Sequence, residues 1–78
     1  LLIVDDQESN LQVLGSILGR LGYDILPATS GATALKRLTV RPADLILLDV
    51  LMPGMDGFEV CRRIRENPEW SELPIIFL

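Results

Sequence analysis

The sequence predicts an α/β fold built on one parallel sheet, and three observations carry that prediction. Short continuous apolar runs alternate with segments of helical periodicity, in the order βαβαβαβ. Aspartates close the first and third apolar runs, at Asp5-Asp6 and at Asp49. Pro27 sits inside the second run, and because proline cannot donate to a sheet ladder, that strand belongs at an edge.

Leu1 to Val4 is a continuous apolar run, the pattern of a strand buried on both faces. A helix is expected from about Ser9 or Asn10 to Leu21, with Leu11, Leu14, Leu18 and Leu21 as its apolar stripe and Ile17 beside it. Gly22 stands where a left-handed C-terminal cap belongs. Tyr23 to Ala28 reads as the second strand. Ser30 caps a second helix that runs to about Val40, with Ala34, Leu35 and Leu38 inward, and Arg41-Pro42 closes it. Leu45 to Leu48 is the most apolar run and the predicted central strand. Met52 to Gly57 is a loop by its proline and glycine content. A third helix is expected from about Phe58 to Glu66, with Phe58, Cys61 and Ile64 on one side. Asn67 to Leu73 reads as a connection and Pro74 to Leu78 as the fourth strand. Strands alternating with helices imply right-handed crossovers.

Composition narrows the function classes. With 78 residues the chain is one domain at most, and a domain of this size buries only roughly 60% of its unfolded surface. Eleven acidic against seven basic residues give a net charge of −4, which argues against nucleic-acid or anionic-membrane binding by this segment. No apolar run approaches the roughly 20 residues of a membrane-spanning helix, and no signal peptide is visible. One cysteine, Cys61, excludes an internal disulfide and fits a reducing, cytoplasmic setting. There is no histidine, so any metal site must use oxygen ligands. The chain opens on an apolar run and stops inside another at Phe77-Leu78, so the natural protein is expected to continue past Leu78.

In an open parallel sheet, strand carboxyl ends share one rim, where ligands bind. If the second strand is the edge, the first and third are neighbours, and Asp5, Asp6 and Asp49 converge. Two unit charges about 5 Å apart repel by roughly 3 kcal/mol at an effective dielectric of 20. A divalent cation removes that cost, and carboxylates, a backbone carbonyl and water suit Mg²⁺ or Mn²⁺ rather than zinc. Taken alone, Asp-Asp after a strand is equally well explained as a solvated turn or helix start.

The residues after Asp49 change that weighing. Leu-Ile-Val-Asp-Asp at residues 2–6 and Asp-Leu-Ile-Leu-Leu-Asp-Val-Leu-Met-Pro-Gly-Met-Asp-Gly at residues 44–57 closely resemble the response-regulator receiver domains of two-component signalling systems. The segment from Ala28 to Leu35 resembles that family's entry to its second helix. The resemblance covers the whole chain in order. It implies a flavodoxin-like, doubly wound sheet of order 2-1-3-4-5, of which residues 1–78 would be a partial receiver lacking the fourth helix, fifth strand and fifth helix. It makes Asp49 the phosphoacceptor. Asp6 would bind Mg²⁺ directly together with Asp49 and the backbone carbonyl of Leu51, and Asp5 would act through water. Pro53 and Gly57 would hold the loop in place. A Ser or Thr just past Leu78 and a Lys on the fifth strand would complete the switch. The implied partners are a sensor histidine kinase or phosphotransfer protein as donor and an output domain or downstream protein as receiver of the signal, with dimerisation compatible. The implied role is a switch with slow self-hydrolysis, not a metabolic enzyme. Without the last helix, one sheet face near the first and third strands should lie partly bare, and the fourth strand should be an open edge.

Three readings compete. An interaction-only pseudo-receiver would never take phosphate, but the three aspartates are intact. An aspartyl-nucleophile phosphohydrolase would carry a second Asp two residues after the first, where this chain has Leu51 after Asp49 and Glu8 after Asp6. A flavin carrier of the same fold class would need a hydroxyl- and glycine-rich loop where Asp5-Asp6-Gln7-Glu8 stands. The remaining features read as structural. Cys61 is a small core residue, Trp70 packs on the third helix, Met52 and Met55 pack in the loop, and Arg62, Arg63 and Arg65 form a solvated helix face.

Overall fold

A computed structural model describes all residues, 1–78. The elements run β1 (Leu2–Val4), α1 (Glu8–Arg20), β2 (Leu26–Ala28), α2 (Gly31–Val40), β3 (Ile46–Leu48), α3 (Gly57–Glu66), a 3₁₀ turn (Pro68–Trp70) and β4 (Ile75–Phe77). The four strands form one parallel sheet of order β2-β1-β3-β4. β2 is therefore an edge, as Pro27 requires. Leu26 N–H donates to the Leu1 carbonyl and Asp5 N–H to the Ala28 carbonyl. The residues flanking Pro27 thus bond inward to β1 while Pro27 itself is exposed.

Side chains alternate across the strands. Leu2 and Val4 of β1 and Ile46 and Leu48 of β3 join Ala34, Leu38, Val60 and Ile64 in the main core beneath α2 and α3. Ile3 is fully buried outside that cluster, and Leu11 is the one buried residue of α1. The inward stripe expected of α1 is thus only partly covered. Leu14 and Leu18 are half-buried, while Ile17 and Leu21 are exposed, together with Val13. β4 is the other edge, and Ile76 and Phe77 on it are exposed.

Several boundaries differ from expectation. α1 begins at Glu8, ahead of Ser9, and its cap residue Gln7 makes no side-chain capping bond. Asp5, outside the helix, accepts the N–H of the cap residue Gln7 itself. At the other end Gly22 has φ +92, and Tyr23 N–H reaches the Leu18 carbonyl while Gly22 N–H reaches Gly19, the left-handed closure expected of that glycine. β2 covers only Leu26–Ala28, because the chain up to Ile25 is still leaving the helix cap. Ser30 caps α2 as expected, its Oγ accepting the Thr33 N–H at 3.1 Å.

The buried face of α3 is a correction. Gly57, Val60 and Ile64 face the core, Cys61 is half-buried, and Phe58 is 61% exposed. Phe58 instead meets Phe77 of β4, with ring centroids 5.3 Å apart. The cause is Gly57, whose backbone must lie against the end of β3 and so sets the helix rotation. Arg65 is exposed, as expected of a solvated helix face, and it also makes contacts that the sequence did not indicate. One of its terminal nitrogens, Nη1, donates to the carbonyls of Trp70, Ser71 and Leu73 at 3.0, 3.2 and 2.7 Å, clamping the turn before β4. Arg62 and Arg63 pair with Glu59, and Arg62 also with Glu66.

The two sides of α3 should respond differently to truncation. Ile64→Ala is expected to cost about 2–5 kcal/mol, as for a fully buried aliphatic side chain. Phe58→Ala should cost less, since the ring is largely exposed and its pair with Phe77 adds only roughly 0.5–1.5 kcal/mol to the little area it buries. Urea unfolding of the intact protein reads both, and equal losses would refute the face assignment.

Candidate functional site

Strand register builds the site. Val4 pairs with Leu48, and Asp49 N–H donates to the Val4 carbonyl at 2.9 Å. Asp5 and Asp49 therefore leave the sheet side by side. One carboxylate oxygen from each of Asp5, Asp6 and Asp49 lies within 4.8 Å of the others. The three acids that the sequence singled out are thus brought together by the topology.

Their surroundings differ. Asp5 is 5% exposed. One of its oxygens, Oδ1, accepts the Gln7 N–H at 2.9 Å, and the other, Oδ2, accepts the Asn10 side-chain amide at 3.1 Å. Asp6 is exposed and Asp49 half-buried. The two neighbours Asp5 and Asp6 thus differ in environment although an oxygen of each reaches the same cluster.

The donor set fits a hard divalent cation. All three groups are carboxylates, and the chain has no histidine to offer. Ligands around octahedral Mg²⁺ at about 2.1 Å stand at most about 4.2 Å apart. A cluster spread over as much as 4.8 Å suits a cation held directly by some of these oxygens and through water by the rest.

The loop after Asp49 is held at several points. Leu51 N–H reaches back to Asp49 Oδ1 at 3.4 Å, while the Leu51 side chain is 83% exposed. Met52 is buried in the core and Met55 packs against it. Pro53 is exposed, and Gly54 has φ +75, a conformation that favours glycine. Gly57 N–H donates to the Val50 carbonyl at 2.9 Å. A Cβ at Gly57 would lie 2.4 Å from the Asp49 carbonyl oxygen and 2.8 Å from Val50 Cα, so no other side chain fits there. Asp56 then caps α3 by accepting the Glu59 N–H at 2.9 Å.

Sequence reasoning overlooked Asn10, Met52 as a core anchor, and the Asp56 cap. Asp56 three residues before Glu59 is a recognisable capping pattern. Asn10 left a fainter signal, since a polar residue in a first helical turn has many explanations.

The sequence profile of the response regulator receiver domain matches residues 1–78, the whole chain. The chain belongs to the response-regulator receiver family. It is 41% identical over its full length to the response regulator PleD of Caulobacter vibrioides, of which it spans 17%. It is 46% identical to the transcriptional regulatory protein AfsQ1 of Streptomyces coelicolor, spanning 33%. Among solved structures, the signal receiver domain of a histidine kinase from Syntrophus aciditrophicus superposes with a TM-score of 0.93 at 38% identity, over 99% of this chain and 58% of that one. The chemotaxis protein CheY4 of Vibrio cholerae gives a TM-score of 0.94 at 34% identity, over 97% and 63%. The chain is thus a receiver module of two-component systems with the flavodoxin-like fold, and it spans a third or less of these two curated relatives. No helix in it is long and apolar enough to cross a membrane.

Two predictions test this local construction. Gly57→Ala should destabilise the intact protein by about 1–3 kcal/mol, the usual cost of overpacking, as read by urea unfolding. Unchanged stability would mean that the loop relaxes freely. The second concerns the first turn of α3. Hydrogen bonds from Arg62 and then Arg63 hold the Glu59 carboxyl below its ordinary value of 4.5. A depressed carboxylate pKa contributes stability above the unfolded value that is lost as pH falls through the folded one. Glu59→Gln should therefore lower the melting temperature slightly near neutrality and leave it unchanged well below the glutamate range. Both Glu59 and its partners are solvent-accessible, so high salt should shrink the difference.

Proposed function

We propose that this receiver accepts a phosphoryl group on Asp49 from a histidine-kinase or phosphotransfer-protein phosphohistidine, in a step that needs Mg²⁺ (or Mn²⁺), and thereby switches an output domain or downstream protein. The observation that carries the reading is the convergence of Asp5, Asp6 and Asp49 within 4.8 Å at the end of two paired strands. Family membership supports it too.

In this reading Asp6 and Asp49 hold the cation directly with the Leu51 carbonyl, and Asp5 acts through water. Support comes from the exposure of Asp6 and from the two hydrogen bonds already engaging Asp5. Bound there, the cation supplies charge neutralisation between an anionic nucleophile and anionic phosphoryl oxygens. A carboxylate oxygen of Asp49 attacks phosphorus in line. The new P–O bond forms as the P–N bond breaks, and the electron pair leaves on the donor imidazole nitrogen. The donor is external, since this chain has no histidine. Gly57 and Met52 hold the Asp49 loop still during the step, and Leu51 N–H orients the carboxylate.

The product replaces one negative charge by about two and adds strong acceptor oxygens, a change able to shift a two-state population. Attack of water on the acyl phosphate returns Asp49 and inorganic phosphate, so the module is a self-limiting switch in the cytoplasm. Residues 1–78 are read as part of a receiver whose remaining elements lie elsewhere in a longer chain. The basis is that the solved receivers named above are matched over only 58% and 63% of their lengths.

The test is intact-mass analysis of the intact protein after acetyl phosphate and Mg²⁺. A single phosphate-sized adduct is expected that requires Mg²⁺, is lost in base and is absent from Asp49→Asn. No adduct on a folded protein, with the reagent active on a known receiver, would overturn phosphoacceptance in favour of an interaction-only module.

A further inference from the structure

We infer that Asn10 is a positioning residue for the cation site, acting through Asp5; the inference rests on the metal-binding reading above. Asn10 lies in the first turn of α1, and its side chain is exposed to solvent. Its amide nitrogen nonetheless donates to Asp5 Oδ2 at 3.1 Å, across five residues and out of the helix. The other oxygen of Asp5 takes the Gln7 N–H at 2.9 Å. Two donors from the start of one helix thus fix both oxygens of the one buried acid in the cluster.

Three physical consequences follow from that arrangement. A carboxylate with both oxygens engaged cannot rotate to give a cation a free bidentate edge. Each oxygen keeps a second lone pair, which can still accept a hydrogen bond from a metal-bound water. Mg²⁺ sheds water reluctantly, so a fixed outer acceptor of this kind suits it. An amide also fixes Asp5 without adding positive charge, whereas a lysine or arginine there would compete with the cation for the acid.

Asn10→Ala strips a donor from a buried Asp5 oxygen, so some metal-free stability is lost under either role. A merely structural role predicts that loss alone, with the metal affinity of the folded protein unchanged. Outer-shell partners of ligating groups are worth roughly 10–100-fold in metal affinity when removed.

The experiment measures Mn²⁺ binding to the intact protein by the spin-resonance signal of free Mn²⁺, with Mg²⁺ by competition and metal-free melting recorded in parallel. Four proteins are compared: wild type, Asn10→Ala, Asp5→Asn, and the double variant. Asn10→Ala is expected to weaken binding about tenfold at a temperature where its metal-free melting shows it folded. In the Asp5→Asn background the same substitution is expected to cause no further loss, because the acid that it orients is gone. Asn10→Gln, which keeps the amide but moves it by one methylene, should also weaken binding and serves if the alanine variant unfolds. Unchanged affinity in the folded Asn10 variants would overturn the inference, and so would an equal loss in both Asp5 backgrounds. Absence of binding in the wild type would overturn the metal-site reading itself, and the inference with it.

Discussion

The site depends on one constraint, the parallel in-register pairing of β1 with β3. Leu2, Ile3, Val4, Ile46 and Leu48 are all fully buried, and each contributes about 1.5–3 kcal/mol by leaving water. That pairing also delivers Asp5 and Asp49 to the same rim, with Asp6 beside them. Each pair of these charges repels by roughly 3 kcal/mol at an effective dielectric of 20. Apolar burial in the strands therefore holds together a polar cluster that would otherwise separate. A divalent cation bound there would add attractions to each carboxylate that outweigh their mutual repulsion.

Two chemically identical neighbours, Asp5 and Asp6, are made different by this scaffold. Asp5 turns inward, loses nearly all its solvent, and gains two donors from the helix start. Asp6 turns outward and keeps its water. Identity of residue type thus says little about environment here. Asp5 also accepts the N–H of Gln7, the cap residue of α1. One buried acid therefore serves both helix and site, which ties the placement of α1 to the electrostatics of the rim.

Much of this was legible in the sequence, for reasons that can be traced to residues. Pro27 reported the edge because a missing N–H is a property of the residue and needs no context. The strand runs were readable because burial on both faces demands uninterrupted apolar side chains, and Ser30 and Gly22 were readable because caps are local chemistry. The inward face of α3 was not. At about 3.6 residues per turn Phe58 and Ile64 stand about 120° apart, whereas Gly57, Val60 and Ile64 lie within about 60°, so the spacing favoured Val60 and the large aromatic misled. The choice was made by a contact distant in sequence, the backbone of Asp49 and Val50 against Gly57. The Arg65 clamp was not legible either, because its partners are backbone carbonyls that carry no residue signature. The start of α1 was placed too late because its N–H partner lies outside the helix, on Asp5.

The same close contact explains why the acceptor loop draws on more of the molecule than its own residues. At Gly57 the loop's end lies directly on the backbone of β3. At Gly31 the first turn of α2 comes so near that a Cβ would lie 2.5 Å from Val60 Cγ2 and 3.0 Å from Met55 Sδ. Met55 belongs to the loop and Val60 to the helix that follows it, so α2 presses on both. Two glycines, 26 positions apart by their numbering, thus let three elements approach closely around one connection. Packed interiors resist small volume changes, so such a connection moves as part of the core rather than as a free loop. The backbone of Asp49 and Val50 is accordingly held against α3, and the loop that follows it is held by α2 as well.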